Sequence, residues 1–235
     1  EYFNHAFETA MILTKLKADS VSIVAALLHD VVEDTSIGTK EVETEFGEDV
    51  KNLVEGLTKL EKVSFSNKED YSAENIRKIV LAMTKDIRVI FIKLADRLHN
   101  METLKYLNEQ KQKEVAQETR KIYAPIAQKL GLYDIKGQLE DLAMRILEPE
   151  SYKQLREVIS EKREEREKNA TKLIRKVKNF LKKEGVDSEV EGRAKYFYSI
   201  YKKMREKRKD FSQIYDLTAI RIITKNIPDA YKALG

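Results

Sequence analysis

The sequence predicts a mainly α protein in three parts. Up to about residue 150 the apolar residues mostly recur at helical spacing, and a charged stretch poor in helix breakers follows. Beyond about residue 185, β-branched and aromatic runs replace that spacing, as strand-containing segments do. We therefore predict an all-α domain over residues 1–150, a helical linker over 151–170 and the beginning of an α+β domain over 171–235.

The predicted elements follow from this periodicity and its interruptions. Helical spacing is clearest in residues 76–104 and 121–147. Stops between helices fall at "SIGTK" (36–40), "FGED" (46–49) and "EPESY" (148–152). Residues 153–183 predict a connecting helix or helix pair. The strand-like runs after them provide one or two strands, too few for a stable sheet, so the α+β part looks unfinished.

Composition and charge narrow the class of protein. A hydrophobic content of 42% beside 36% charged residues is typical of a soluble, helix-rich chain, and no apolar run approaches the ~18 residues of a membrane span. The absence of cysteine excludes disulfides and thiolate metal sites and favours a reducing compartment, so we predict a cytoplasmic protein. Residues 1–150 hold 21 basic and 27 acidic residues, whereas 151–235 hold 23 and 13. The resulting charges of −6 and +10 suggest two functions, the second with an anionic partner.

The segment "HDVVED" (29–34) places polar groups, whose burial is unfavourable, directly after the apolar run "IVAALL" (23–28). If one helix continues through both, it is packed on all sides, and its polar groups share one face. Those groups are His29, Asp30, Glu33 and Asp34. Burying ionised carboxylates costs several kcal/mol each unless a cation or a donor network compensates them. A bound divalent metal is the most economical compensation.

A similar pattern recurs in "LADRLHN" (94–100), where Asp96 and Asn100 share one face of a helix that follows the apolar stretch "VIFIKLA". The chain holds only three histidines, His5, His29 and His99. A single histidine is more often a core or surface residue than a ligand. Three of them alongside the acidic residues favour a metal site.

The second part of the chain is basic and rich in aromatic residues. Residues 193–209, "RAKYFYSIYKKMREKRK", hold eight Lys or Arg against one Glu. The residues themselves leave three interpretations open. They are a nucleic-acid surface with bases stacked on the rings, a site for a polyphosphate nucleotide, and a solvated basic face.

The order of these motifs resembles the HD superfamily of metal-dependent phosphohydrolases, with one histidine, then "HDVVEDT", then "ADRLHN". The surrounding sequence is most similar to the RelA/SpoT-type bifunctional (p)ppGpp synthetase/hydrolase family. The segments that carry this similarity are "AALLHDVVEDT", "FGEDVKNLVEGLTKL", "KLADRLHNMETL", "YAPIAQKLGLYDIKGQLEDLAMRILEPE" and "GRAKYFYSIYKKM". The resemblance covers essentially the whole chain. It implies an HD-type helical hydrolase domain, then the start of a nucleotidyltransferase-like synthetase domain.

The resemblance also implies roles for individual residues of the first domain. The positions that match the metal ligands, which usually hold Mn²⁺, are His5, His29, Asp30 and Asp96. Glu33 and Asp34 match the acidic pair that positions or deprotonates the attacking water, and Asn100 and Thr103 match residues that line the nucleotide pocket. His99 lies about 60° from the line of Asp96 and Asn100 on a helix, so we leave it out of the ligand set. Ligand types alone do not exclude Zn²⁺, Fe²⁺ or Co²⁺.

For the second domain the resemblance implies the opening of a synthetase that transfers pyrophosphate from ATP to GDP or GTP. Arg193 and Lys195 match ATP phosphate contacts, Lys203 and Arg205 belong to the same basic run, and Asp216 matches a Mg²⁺-binding aspartate. The catalytic glutamate and guanine-stacking tyrosine of the family lie beyond "AYKALG". We therefore expect this half to be inactive in the 235-residue chain.

The function that the resemblance implies is Mn²⁺-dependent hydrolysis of the 3′-pyrophosphate of (p)ppGpp to GDP or GTP plus pyrophosphate, in the stringent response. The alternative is a catalytically silent HD module that regulates the synthetase. Expected partners are (p)ppGpp, GDP/GTP and ATP, with ribosome contact only through C-terminal regions outside this chain and no membrane or DNA partner. Three departures from the family pattern are Ala6 in place of a usual proline, Glu102 where arginine is frequent, and Ala194 in "GRAKY".

Overall fold

The computed structural model describes residues 2–61, 85–161, 163–207 and 218–235 of the chain. These residues form two compact units, Glu1–Leu147 and Glu148–Gly235. Helices dominate both, which confirms the mainly α prediction. No helix of the described residues is both long and apolar enough to cross a membrane. The functional division at 150 and 170 stays a prediction.

The first unit is helical throughout its described ranges. Its helices are α1 (Tyr2–Lys15), α2 (Ser20–Leu27), α3 (Val31–Asp34), α4 (Thr39–Phe46), α5 (Glu48–Glu61), α6 (Arg88–Thr103), α7 (Glu109–Glu118), α8 (Ala124–Lys129) and α9 (Tyr133–Leu147). A 3₁₀ turn, Leu104–Tyr106, follows α6, and a π-helical turn, Thr119–Tyr123, joins α7 to α8.

Helix α6 is the central element of this unit because it contributes to both of its apolar clusters. One side packs into a cluster with α1, α2, α4 and α5 through residues such as Val89 and Ile92. Another side, with Ile90, Leu94 and Leu98, packs into a cluster formed with α7, α8 and α9. An apolar surface this wide is typical of a fully enclosed helix. Polar side chains in its second half are therefore held in a rigid, largely buried frame.

The approach of α5 to α6 depends on a glycine. A Cβ atom added at Gly56 would lie 2.8 Å from Cγ2 of Val89, closer than real Cβ contacts come. At the start of α6, Arg88 donates hydrogen bonds to both Asp86 and Asp19, which ties the helix to the loop between α1 and α2. These contacts set the position of α6 relative to the helices that carry the histidines.

The prediction of one continuous helix through residues 23–34 is wrong. Helix α2 ends at Leu27, a turn follows, and α3 is a single helical turn that begins after Asp30. The break lies where the Nδ1 atom of His29 contacts the carbonyl oxygen of Ala26 at 2.7 Å. In a continuing α-helix that oxygen would accept the amide of Asp30, so the imidazole replaces a backbone hydrogen bond.

The second unit combines helices with a small sheet. Its elements are α10 (Pro149–Glu161), α11 (Arg163–Lys183), β1 (Ser188–Ala194), α12 (Phe197–Lys207), β2 (Thr218–Thr224) and α13 (Ile227–Leu234). The two strands pair antiparallel, with Gly192 opposite Ile220. Helix α11 packs against β1, where a Cβ atom added at Gly192 would lie 2.7 Å from Cδ1 of Ile174. The predicted linker corresponds here to parts of two helices.

Candidate metal centre

Three ligand-type side chains of the first unit converge on one point. They are His5 from α1, His29 from the turn after α2, and Asp96 from α6. The Nε2 atom of His5 lies 3.3 Å from Nε2 of His29 and 3.1 Å from Oδ1 of Asp96. The distance from His29 Nε2 to the same carboxylate oxygen is 3.8 Å. Residues distant in sequence thus present two nitrogens and one oxygen to a common centre.

These separations fit a single divalent cation. Ligand atoms about 2.1 Å from one ion lie roughly 3.0–3.4 Å from one another at angles of about 90–109°. Two of the three distances match that range, and the third exceeds it by a few tenths of an ångström. Two imidazoles and a carboxylate are also a donor set that first-row divalent metals accept. The side chains therefore suit a metal ion in both geometry and chemistry.

The remaining ring nitrogens of the two histidines are both occupied by protein groups. Because Nδ1 of His29 contacts a carbonyl oxygen, it must carry the proton, which leaves a lone pair on Nε2. Nδ1 of His5 lies 2.6 Å from Nδ1 of His99, and one of the two rings donates. When His5 donates, its Nε2 atom is also free to bind a cation. Such contacts fix the tautomer and orientation of metal-binding imidazoles.

Asp96 is the most deeply enclosed carboxylate of the site, with only 2% of its surface exposed. Its Oδ1 atom accepts a hydrogen bond of 2.7 Å from Nδ2 of Asn100, as the shared helix face predicts. Oδ2 forms a close ion pair with Nζ of Lys93, at 2.6 Å. Burial alone would raise the pKa of Asp96, yet the charge of Lys93 and the contact with His5 hold it well below its usual range.

The pKa values of His5 and His99 are shifted in opposite directions. A hydrogen bond to Asp96 raises the pKa of His5, although burial opposes this. Burial, followed by the proximity of His5, lowers the pKa of His99. His99 is therefore biased towards its neutral form, in which one ring nitrogen can accept a hydrogen bond from His5.

The expectation that "HDVVED" forms a buried acidic patch is wrong in one respect. His29 is buried at 3% exposure, but Glu33 and Asp34 are exposed and Asp30 is only half-buried. Asp30 Oδ1 lies 3.1 Å from His29 Nε2, beside the three converging ligands rather than among them. Because the helix ends before His29, α3 turns its carboxylates towards solvent.

The predicted pocket residues lie on the last turns of α6. Asn100 is exposed and holds Asp96, as described above. The hydroxyl of Thr103 donates to the carbonyl oxygens of His99 and Asn100, at 3.1 and 3.3 Å. Their role in nucleotide binding stays a prediction.

Sequence reasoning missed Lys93. The residue is 8% exposed, and it lies three residues before Asp96, so the two charges meet on one side of α6. The signal was present, because Lys93 is the one charge in "VIFIKLA", a stretch predicted to be buried. A buried lysine needs a partner, and Asp96 is the carboxylate within reach of a helical turn.

The residues singled out in the basic part of the chain are described in part. Lys195 and Lys203 are half-buried, and Arg205 is exposed with its guanidinium carbon 5.8 Å from the centre of the Tyr201 ring. Arg193 belongs to β1. Asp216 lies outside the described residues. The proposed ATP and Mg²⁺ contacts of these residues stay predictions.

Comparisons with known proteins cover the whole chain. A family model described as "HD domain" matches residues 1–133, and one described as "Region found in RelA / SpoT proteins" matches residues 192–235. The chain is 45% identical to a probable guanosine-3′,5′-bis(diphosphate) 3′-pyrophosphohydrolase of Synechocystis and 46% identical to a GTP pyrophosphokinase of Myxococcus xanthus, all of it aligning with 31% of each. It is 42% identical to the bifunctional (p)ppGpp synthase/hydrolase SpoT of Escherichia coli, of which it covers 33%. The chain therefore spans about a third of the length of these relatives.

Proposed function

The chain belongs to the HD-domain family, in its RelA/SpoT-type branch, and on this premise we propose that its first unit hydrolyses the 3′-pyrophosphate of (p)ppGpp in a metal-dependent reaction. The products are GDP or GTP and pyrophosphate. The observation that carries this proposal is the convergence of His5, His29 and Asp96 on a point with the spacing of metal ligands. Relatives named as 3′-pyrophosphohydrolases support the choice of substrate.

The cation would be held by His5, His29 and Asp96, with Asp30 as a fourth ligand. When bound, it supplies Lewis-acid stabilisation of phosphate charge and lowers the pKa of a water molecule. We propose Mn²⁺ as the physiological ion because mixed imidazole and carboxylate ligation suits it, although the same ligands accept other first-row metals. Competition between Mn²⁺, Zn²⁺ and Fe²⁺ for the metal-free chain distinguishes these ions.

Glu33 and Asp34 are the proposed acceptors of the proton of the attacking water. Their exposure supports this role, since a carboxylate that passes a proton to solvent must reach both the water and the bulk. The water oxygen bonds to the phosphorus attached to the 3′ oxygen, that ester bond breaks, and the 3′ oxygen leaves with a proton. Asn100 and Thr103, at the end of α6, would contact the nucleotide.

The direct test is pyrophosphate release from ppGpp by the purified chain, with Mn²⁺ added or removed by a chelator. We expect turnover that depends on the metal and is lost in His29→Ala. A Tyr106→Ala variant, changed at a side chain that is 79% exposed, serves as a matched control with unaltered turnover. Turnover that persists in the chelator, or survives in His29→Ala, would exclude the proposal.

For the longer protein we propose a second activity, synthesis of (p)ppGpp from ATP and GDP or GTP with Mg²⁺. The match of residues 192–235 to the RelA/SpoT region and a relative named GTP pyrophosphokinase support it. Arg193 and Lys195 would contact ATP phosphates, with Lys203 and Arg205 in the same basic run and Asp216 on Mg²⁺. The test is transfer of ³²P from ATP to GDP by the full-length protein, compared with Lys203→Ala.

We further propose that the protein acts in the cytoplasm, with ribosome contact through other regions.

A second candidate function for the first unit is that of a silent HD module that regulates the synthetase. One observation favours it. Glu102, which stands where the resemblance to the family implies arginine, places negative charge near the end of α6, where an anionic substrate would approach. Under this alternative the chain binds Mn²⁺ and ppGpp but releases no pyrophosphate, so equilibrium dialysis run beside the turnover assay separates the two functions.

A further inference from the structure

The buried ion pair between Lys93 and Asp96 is not explained by the metal site alone. Nζ of Lys93 lies 2.6 Å from Oδ2 of Asp96, and both side chains are enclosed, at 11% and 3% exposure. Removing two charges from water costs several kcal/mol per ion, and a pair repays this only when its geometry is close. A lysine in an otherwise apolar stretch of α6 therefore needs a close carboxylate, and Asp96 provides it.

The two oxygens of Asp96 have different neighbours. Oδ1 faces the histidines, with His5 Nε2 at 3.1 Å, and accepts the hydrogen bond from Asn100. Oδ2 faces Lys93, whose Nζ atom lies 2.6 Å away. The ammonium thus lies on the side of the carboxylate opposite the proposed cation, and it compensates an oxygen that has no other polar contact among the described residues.

We propose that Lys93 is a built-in counter-ion of this centre. It compensates the buried charge of Asp96 while no cation is bound. Its positive charge also lowers the affinity of the site for a cation. The inference rests on the proposed metal site. With neutral histidines, Asp30 and Asp96 give the centre a charge of −2, which Lys93 reduces to −1. A divalent cation then meets less attraction and some repulsion from the ammonium, so Lys93 keeps the metal exchangeable.

The consequence is a coupling between Lys93, metal binding and stability. Without Lys93, metal-free protein buries an uncompensated carboxylate and loses stability. A bound cation removes that penalty, so it must stabilise the variant more than the wild type, since a ligand stabilises in proportion to its affinity for the folded state. A lysine with only a packing role would give the same loss of stability with and without metal.

The chain provides a matched control. Lys136 forms an ion pair of the same length, 2.6 Å, with Glu140, whose surface is 8% exposed. This pair lies on α9, which carries none of the proposed metal ligands. Lys136→Met therefore removes a comparable charge from a comparable pair without addressing the metal.

The test measures Mn²⁺ affinity by calorimetry and the unfolding midpoint with and without Mn²⁺, for wild type, Lys93→Met and Lys136→Met. We expect Lys93→Met to unfold at a lower temperature when metal-free, to recover most of that loss in saturating Mn²⁺, and to bind Mn²⁺ about tenfold more tightly. Lys136→Met should lose stability equally in both conditions with unchanged affinity. An unchanged or weaker affinity of Lys93→Met overturns the proposal. If the wild type binds no Mn²⁺, the metal site itself is wrong.

A second comparison covers the case in which Lys93→Met does not fold. In an Asp96→Asn background the buried negative charge is absent, so adding Lys93→Met should leave metal-free stability unchanged or increased. The pair of variants isolates the coupling between the two residues. A further loss of stability in the double variant would show that Lys93 acts through packing and would overturn the counter-ion role.

Discussion

The two segments of the first unit that carry candidate site residues, "HDVVED" and "LADRLHN", lie in opposite environments. The segment that contains Asp96 continues a long helix packed into two apolar clusters, and its carboxylate is 2% exposed. The segment that begins at His29 interrupts a helix, and its carboxylates Glu33 and Asp34 are exposed. The comparison suggests a division of labour, in which enclosed groups hold a cation with fixed geometry and exposed groups exchange protons with solvent.

The largest effect is expected at His29, which brings the segment 29–34 to the centre that contains Asp96. In His29→Ala the site loses one converging nitrogen and the contact with Ala26, so we expect metal-dependent pyrophosphate release to fall at least ~10³-fold. Calorimetry should show a parallel loss of Mn²⁺ affinity. Unaltered affinity in a folded variant would mean that the irregular segment contributes no ligand, and the comparison would lose its basis.

The exposed carboxylates should affect turnover without affecting the metal. For Glu33→Gln and Asp34→Asn, tested singly, we expect pyrophosphate release to fall about 10²-fold because a proton acceptor is lost. Both side chains are exposed, so stability should change by less than about 0.5 kcal/mol. Mn²⁺ affinity should stay within about twofold of wild type, given the role assigned above. A joint loss of affinity and turnover would instead assign these residues to the metal and remove the proposed division.

Substitutions of His99 test whether metal affinity depends on the hydrogen bond between His99 and the ligand His5. In His99→Phe the contact with Nδ1 of His5 is lost, so we expect Mn²⁺ affinity to fall roughly 10- to 100-fold. His99→Gln keeps a polar group at the same place and should lose less. If both variants bind Mn²⁺ like the wild type, His99 has only a packing role.

The fold class and the convergence of the two acidic segments could be predicted because they rest on patterns. Apolar periodicity marks α6, and the spacing of Asp96 and Asn100 places both on one face, where the structure finds a hydrogen bond. The metal ligands and proton acceptors came from family resemblance, and their roles stay predictions. Composition separated the two units by charge but could not fix their boundary.

The break at His29 could not be predicted from periodicity. Apolar residues continue at helical spacing through Val31 and Val32, and neither glycine nor proline marks the stop. The helix ends because an imidazole takes a carbonyl that the backbone would otherwise use, which is a competition between side chain and main chain. Lys93 was missed for a different reason. A single charge in a stretch predicted to be buried was visible in the sequence, but the carboxylate oxygen that it contacts was not.

The smallest effect concerns Glu102, where α6 returns to the surface. Partial burial, then the charge of Glu8, raises the pKa of Glu102. The folded chain therefore holds that proton more tightly than the unfolded chain, so the stability it provides is complete below the unfolded pKa and is lost as pH rises through the folded pKa. Glu102→Gln carries no charge at any pH and should be more stable than wild type at pH 7 by a few tenths of a kcal/mol at most, because solvent screens this exposed group.

Urea unfolding of metal-free protein at several pH values between about 3 and 7 measures this difference. The advantage of Glu102→Gln should vanish at the acidic end, where the wild-type carboxyl is protonated in both states. In a Glu8→Gln background the advantage should shrink at pH 7, because one of the two causes of the shift is absent. If Glu102→Gln is more stable than wild type by the same amount at every pH, packing rather than charge is the cause. Packing would then determine stability at the exposed end of α6 as it does in its enclosed middle.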